Sequence, residues 1–272
     1  MSDSEAKRLE GIAKKSRRLV IEMCSKAQSG HTGGSLGAAD IFTALYFYHL
    51  HHNPKKPQDP LRDRFVLSCG HISPILYATL AQRGYFKKSW LKTFRKINSK
   101  LQGHPNHLDT QGVETSSGSL GQGLSIALGM ALGLRLQNNP ARVYAYLSDG
   151  EQEEGSTWEA VMAAAHFKVD NLTAILDYNN IQISGYNKDV MNVMPLREKY
   201  ESFGWHVLEA DGHNMKAILE ALEDAKTIKE KPTVIIAYTT MGKGVPFMEN
   251  KYEWHGKAPS KEEAKQALKV LK

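Results

Sequence analysis

The amino-acid sequence predicts an α/β fold built on a doubly wound, mostly parallel sheet. Five short apolar runs have the length and composition of buried strands, and stretches with helical periodicity alternate with them. Glycine-rich turns follow several of these runs, as is typical where ligands reach the carboxyl ends of parallel strands. The predicted strands are 64–68, 143–147, 173–178, 205–209 and 234–238.

The helical pattern begins with an amphipathic segment between Leu9 and Ala27, which ends in a predicted glycine-rich loop, Ser29–Gly34. The later predicted helices are 38–49, 73–82, one that opens after the turn 118–123, 156–167, 214–229, and a last one that starts at a capping box, 260–263. Between 84 and 112 the sequence is basic and without clear periodicity. We therefore expect a single domain over residues 1–272 with a loop-rich insertion at about 84–112.

Composition argues against two classes of partner. The 272 residues are 41% hydrophobic, but the longest nearly apolar stretch, Leu124–Leu134, is shorter than the roughly 18 residues that a membrane span needs. The net charge of +6 is dispersed and lacks interleaved aromatic side chains, which argues against nucleic-acid binding. Cys24 and Cys69 lack the spacing of a zinc site or a disulfide framework. We expect a cytoplasmic protein that binds neither nucleic acid nor membrane.

Polar residues follow two of the predicted strands at positions that parallel pairing would bring together. The stretch YLSDGEQEEG places Asp149 at the end of one strand, and Asn179 follows the next strand 30 positions later. An aspartate oxygen, an amide oxygen and a backbone carbonyl suit Mg²⁺, which completes its shell with water and phosphate oxygens. The alternative for an isolated Asp-Gly is an acidic first turn that suits the helix dipole, and Glu151 and Glu153 are interpreted in that way, as solvated charges.

The spacing from Asp149 to Asn179 also carries a family resemblance. The stretch SDGEQEEGSTWEAVMAAAHFKVDNLTAILDYNN resembles the motif of thiamine-diphosphate enzymes. Four further blocks resemble, in order and spacing, the first half of transketolases: SGHTGGSLGAAD, LSCGHISPILYATL, QGHPNHLDTQGVETSSGSLGQGLSIALGMALG and TTMGKGVPFMENKYEWHGKAP. The resemblance implies the thiamine-diphosphate-binding fold of the diphosphate-binding domain. It also implies thiamine diphosphate and Mg²⁺, or another divalent cation such as Ca²⁺ or Mn²⁺, as cofactors.

The resemblance implies roles for the residues at the strand ends. Asp149, Asn179 and the carbonyl of Ile181 match the ligands that hold the metal against the cofactor's diphosphate. Gly150 matches a position where the backbone approaches that diphosphate. Gly118 and Leu120 match residues that contact the aminopyrimidine ring. Glu154, a candidate catalytic residue, and Glu159 match acids that share protons between subunits.

Four of the 11 histidines match functional positions of the family. His71 and His255 match residues that hydrogen-bond the phosphates. His31, His104 and His255 match catalytic residues that face the thiazolium carbon and the sugar hydroxyls and steer protons. The other histidines are interpreted as structural; they are His49, His51, His52, His107, His166, His206 and His213.

The resemblance covers only half of a transketolase active site. In that family the glutamate that hydrogen-bonds the aminopyrimidine belongs to a pyrimidine-binding domain, which this sequence does not contain. This implies a separate C-terminal transketolase subunit that carries the pyrimidine-binding domain, in an α2β2 heterotetramer. The implied reaction is transfer of a two-carbon ketol unit from a ketose phosphate to an aldose phosphate. Two alternatives stay open: another split thiamine-diphosphate enzyme acting on a modified sugar or a 2-oxoacid, and a non-catalytic regulatory protein that binds the cofactor.

Overall fold

A five-stranded parallel sheet forms the centre of the computed structural model, which describes residues 1–272. The strands are β1 (Arg64–Leu67), β2 (Val143–Ser148), β3 (Leu172–Tyr178), β4 (Ile181–Gln182), β5 (Gly185–Tyr186), β6 (His206–Asp211) and β7 (Thr233–Tyr238). The large sheet has the order β1-β2-β3-β7-β6 with every neighbouring pair parallel, and β4 and β5 form a separate hairpin. The predicted doubly wound α/β fold is confirmed, and among the strands only those of the hairpin were not predicted.

Ten α-helices surround the sheet. They are α1 (Asp3–Ala27), α2 (Thr32–Gly37), α3 (Ala39–Ala44), α4 (Ser73–Arg83), α5 (Gln122–Leu136), α6 (Gly155–His166), α7 (Asn187–Val190), α8 (Leu196–Ser202), α9 (Met215–Thr227) and α10 (Lys261–Val270). A π-helical turn, Leu45–His49, continues α3, and between α4 and α5 the only helical segment is the 3₁₀ turn Lys88–Thr93. None of the helices combines the length and the apolar character that crossing a membrane requires.

Both faces of the sheet are buried under helices. Tyr146, Ile175 and Ile235 lie side by side across β2, β3 and β7, and they pack with buried side chains of α1, α3, α4 and α9. The residues one position earlier in each strand point to the opposite face, where they pack with α5, α6 and α8. Each large aliphatic side chain buried in this way stabilises the fold by about 1.5–3 kcal/mol. With both faces covered, the carboxyl ends of the strands are left for a ligand.

The glycine-rich stretch 29–34 differs from its prediction as a loop. The helix α2 begins at Thr32, within that stretch. A Cβ on Gly33 would lie 2.8 Å from the Met241 side chain and 2.9 Å from the Trp254 carbonyl, and one on Gly37 would lie 3.0 Å from the Thr240 carbonyl. These glycines therefore serve close packing against the segment after β7, and not the flexibility of a loop.

Candidate active site

A cavity of about 420 Å³ lies at the carboxyl ends of β1, β2, β3 and β7. All of the site residues predicted from the sequence line it except Glu159. Those that do are His31, His71, His104, Gly118, Leu120, Asp149, Gly150, Glu154, Asn179, Ile181 and His255. Glu159 is exposed on α6, away from the cavity.

The parallel pairing of β2 with β3 brings Asp149 and Asn179 together. Ser148 pairs with Asp177, so the residues that follow each strand meet at the same edge. One oxygen of the Asp149 carboxylate accepts the backbone N–H groups of Asn179 and Asn180 at 3.0 and 2.6 Å, and the other accepts that of Gly150 at 2.8 Å. The Asn179 amide oxygen accepts the backbone N–H of Ile181 at 3.0 Å, which orients its side chain.

Two acidic side chains are buried side by side at this edge. Asp149 is 1% exposed and Asp177 is 3% exposed, and no lysine or arginine side chain hydrogen-bonds either of them. Burial, followed by repulsion from Asp177, raises the pKa of Asp149 to about 7, although the three backbone N–H groups oppose the shift. A bound cation would reduce the electrostatic cost of burying these two carboxylates together.

The groups available at this edge fit a divalent cation of the hard class. Nowhere in the chain do three or more His, Cys, Asp or Glu side chains gather in a metal-binding arrangement. The edge offers a different set of oxygen atoms, from the Asp149 carboxylate, the Asn179 amide and backbone carbonyls. Mg²⁺ commonly takes one or two carboxylates from the protein and fills its remaining positions with water and phosphate oxygens.

Three histidines from distant parts of the chain form a cluster in the lining of the same cavity. The ring centroids of His31 and His71 lie 5.0 Å apart, those of His31 and His255 5.5 Å, and those of His71 and His255 5.3 Å. Burial, together with the neighbouring imidazoles, lowers the pKa of His31 to about 4 and that of His71 to about 3. Burial also lowers the pKa of His255. The cluster is therefore neutral at neutral pH, and the buried Nδ1 of His31 has no hydrogen-bond partner within the chain.

His104 reaches the same cavity from the loop region before α5. A Cβ on Gly118 would lie 3.1 Å from the His104 ring, so glycine allows the two segments to pack closely. Burial, and to a lesser degree the Arg95 guanidinium, lowers the pKa of His104. The structure thus brings all four predicted histidines to one cavity.

Glu151 corrects an interpretation made from the sequence. The prediction that it is a solvated charge is wrong, because its side chain is fully buried and accepts hydrogen bonds from Gly121 and Ser148 backbone N–H groups and from the Ser68 hydroxyl. Glu153, predicted in the same way, is exposed and accepts a hydrogen bond from the Gln182 side chain at 2.6 Å.

The seven histidines interpreted as structural do not line the cavity. His49 hydrogen-bonds Glu223 and Tyr144, at 2.9 and 2.8 Å. His213 hydrogen-bonds the Asp40 carboxylate at 2.8 Å and accepts the Thr240 backbone N–H at 2.7 Å. These contacts give both imidazoles structural partners.

Comparison with known proteins places the chain in a family. Residues 9–271 match the family model described as "Transketolase, thiamine diphosphate binding domain". The chain belongs to the transketolase family. The resemblance seen in the sequence is thereby confirmed, and it extends over nearly the whole chain.

Relatives in this family include both short and long chains. An apulose-4-phosphate transketolase subunit of Phocaeicola vulgatus is 39% identical over 97% of this chain and 93% of its own length. The "6-deoxy-6-sulfo-D-fructose transketolase subunit SqwG" of Clostridium sp. is 42% identical over 94% and 93% of the two chains. The solved transketolase of Campylobacter jejuni superposes with a TM-score of 0.91 at 39% identity, over 97% of this chain and 42% of its own. The chain thus spans about two fifths of the length of the solved transketolase it matches.

Proposed function

We propose that this chain is the diphosphate-binding subunit of a thiamine-diphosphate-dependent transketolase. The reaction is transfer of a two-carbon ketol unit from a ketose phosphate to an aldose phosphate. The observation that carries the proposal is the cavity that the paired Asp149 and Asn179 line together with four histidines. Two buried acids without a cationic partner and a buried imidazole nitrogen without a hydrogen bond would be costly in a protein that binds no such ligand.

The acidic edge would hold the cation and the diphosphate. Asp149, the Asn179 amide oxygen and the Ile181 carbonyl would donate to Mg²⁺ or a related divalent cation, and that cation would neutralise the repulsion between Asp149 and Asp177. A Cβ on Gly150 would have no neighbour closer than 3.8 Å, so the glycine leaves the backbone open to the diphosphate. These assignments rest on the oxygen atoms available and on the match to family positions.

The histidines in the cavity lining would transfer protons. Neutral imidazoles both donate and accept hydrogen bonds, so His31, His104 and His255 can exchange protons with the hydroxyl groups of a sugar. His71 and His255 would donate hydrogen bonds to phosphate oxygens. When bound, thiamine diphosphate supplies the electron sink for the ketol fragment. The protein contributes orientation, exclusion of water and proton transfer.

We also propose that a second chain completes the site. The relative from Phocaeicola vulgatus is named as one subunit of its transketolase, and the solved transketolases are more than twice as long as this chain. A separate C-terminal transketolase subunit with the pyrimidine-binding domain, in an α2β2 heterotetramer, accounts for both facts. Glu154 at the cavity and Glu159 on α6 would then form proton-sharing contacts with that subunit. The single-domain organisation and the cytoplasmic location expected from the sequence belong to the same proposal.

The identity of the sugar is open to a second candidate. Two of the relatives are named for apulose 4-phosphate and for 6-deoxy-6-sulfo-D-fructose, which are modified ketoses. A branched or sulfonated ketose is therefore a candidate donor besides the ordinary ketose phosphates.

The test begins with gentle isolation of the chain from its own cells with Mg²⁺ and thiamine diphosphate, followed by identification of any companion chain. The assembly is then assayed for ketol transfer with ordinary, branched and sulfonated ketoses. We expect a companion with a pyrimidine-binding domain, and activity that Asp149→Ala and His255→Ala abolish. Undiminished turnover in both variants would refute the proposed site, and binding of the cofactor without any turnover would favour a regulatory protein.

A further inference from the structure

Glu151 is a buried charge beside the cavity to which the proposed chemistry gives no role. Its side chain is fully buried and does not line the cavity. It accepts the backbone N–H of Gly121 at 2.7 Å, the backbone N–H of Ser148 at 3.2 Å and the hydroxyl of Ser68. All of its hydrogen-bond partners are neutral donors, and no lysine or arginine pairs with it. A carboxyl group is costly to bury unless its hydrogen bonds are made, so these three contacts constrain the groups that donate them.

The three donors belong to three separate parts of the chain. Ser68 follows β1, Ser148 ends β2, and Gly121 immediately precedes α5. The Ser68 hydroxyl also accepts the backbone N–H of Gly123 at 3.0 Å, so the network reaches the first turn of α5. One carboxylate therefore ties the ends of two strands to the start of a helix.

The segment held by this carboxylate forms one wall of the cavity. Gly118 and Leu120 line the cavity directly before Gly121. At Gly121 the backbone has a φ of +81°, and a Cβ there would lie 2.5 Å from the Ser156 hydroxyl and 2.7 Å from the Glu154 Cβ. Two features thus fix the position of this wall: the close packing of Gly121 against Ser156 and Glu154, and the hydrogen bond from Gly121 to Glu151.

We infer that Glu151 is a positioning residue that fixes the turn 118–121 and so sets the wall against which the aminopyrimidine half of thiamine diphosphate lies. The inference rests on the proposed function and on the family resemblance, which implies that Gly118 and Leu120 contact that ring. Glu151 does not line the cavity, so it would act through the groups that it holds. Its shorter backbone contact, with Gly121, acts on the wall at the ring end of the cofactor, and its longer one, with Ser148, lies next to Asp149.

The test compares two ligands on the purified assembly with its companion chain. Glu151→Gln keeps the size of the side chain but turns an NH₂ group toward a backbone donor. Asp63→Asn is the matched control, because Asp63 accepts the backbone N–H groups of His51 and Arg142, both at 2.9 Å, beside the start of β2 and away from the cavity. The affinities for thiamine diphosphate and for inorganic diphosphate are measured by calorimetry, each with Mg²⁺.

We expect Glu151→Gln to weaken the binding of thiamine diphosphate by about tenfold or more, the scale of one buried hydrogen bond to a charged group. The affinity for inorganic diphosphate should fall by clearly less, because only the longer contact, with Ser148, lies at that end of the site, and Asp63→Asn should change neither affinity. Wild-type affinity for thiamine diphosphate in Glu151→Gln, or equal losses for both ligands, would overturn the inference. A wild-type assembly that binds neither ligand would instead refute the proposed function.

Discussion

An Asp149→Asn substitution keeps the size of the side chain and removes its charge. In the native chain three backbone N–H groups, at 2.6 to 3.0 Å, point at the two carboxylate oxygens. Asparagine offers one oxygen, so its NH₂ group must face at least one of these donors, at a cost of about 1–3 kcal/mol. Relief of the repulsion from Asp177 offsets part of that cost. Without ligands, we therefore expect the free energy of unfolding to fall by only roughly 1 kcal/mol.

The same substitution should have a much larger effect on the response to ligands. A ligand present at 100 times its dissociation constant stabilises a protein by about 2.7 kcal/mol, which corresponds to a rise in melting temperature of roughly 5–10 °C for a chain of this size. Asp149 is the only carboxylate among the proposed metal ligands, so the variant should lose this rise. Thermal unfolding of the purified assembly, with and without Mg²⁺ and thiamine diphosphate, measures it.

Asp170→Asn is the matched control for that experiment. The Asp170 carboxylate accepts a backbone N–H from Glu230 at 3.2 Å and lies before β3, away from the cavity. It should keep the full ligand-dependent rise. An Asp149→Asn variant that keeps the wild-type rise would show that the strand edge does not bind the cation.

Three further substitutions test other parts of the structure. His31→Ala should lower kcat by about 10²–10⁴ with an unchanged circular dichroism spectrum, as for a group that transfers protons, and an unchanged kcat would contradict that role. Burial lowers the pKa of His71 to about 3, so below its ordinary pKa of 6.5 the unfolded chain binds a proton that the native chain does not. As the pH falls from 6.5 toward 4, the free energy of unfolding of the wild type should therefore fall by up to about 1.4 kcal/mol per pH unit more than that of His71→Asn. Urea unfolding measures both, and equal falls in the two proteins would refute this. Arg17→Met removes the buried bidentate partner of Asp40 and should lower the free energy of unfolding by about 3–5 kcal/mol in the same assay. A loss below about 1 kcal/mol would contradict this role of the ion pair.

The sheet and its site-bearing edge follow from local sequence patterns. Five apolar runs and their spacing predicted all five strands of the large sheet, because strands buried on both faces leave a continuous apolar signal. The distance from Asp149 to Asn179 equals one strand–helix–strand unit, so parallel pairing alone places the two residues together. The strands of the hairpin are two residues long and too short to show any period.

The environment of individual side chains could not be predicted in the same way. Glu151 was interpreted as solvated because its neighbours in sequence are acidic, whereas its donors Ser68 and Gly121 lie 83 and 30 residues away. Gly33 suggested a loop, but glycine is needed there because the chain packs closely against Met241, more than 200 residues later. Such long-range contacts leave no periodic trace in the sequence.

The order in which the cavity walls leave the ribosome follows from their places in the chain. The acidic edge belongs to the consecutive strands β2 and β3, whereas β7 and His255 come later, and His31 comes before all strands. The 76 residues from Asn179 to His255 take roughly 4–15 s to synthesise at about 5–20 residues per second. Proteolysis of nascent chains stalled at different lengths would show whether the β2–β3 edge forms within that time. Once β3 has been synthesised, Asp149 and Asp177 are present while β7 and His255 are still missing. An edge that forms at that stage is exposed to cellular cations before the rest of the cavity can close around it.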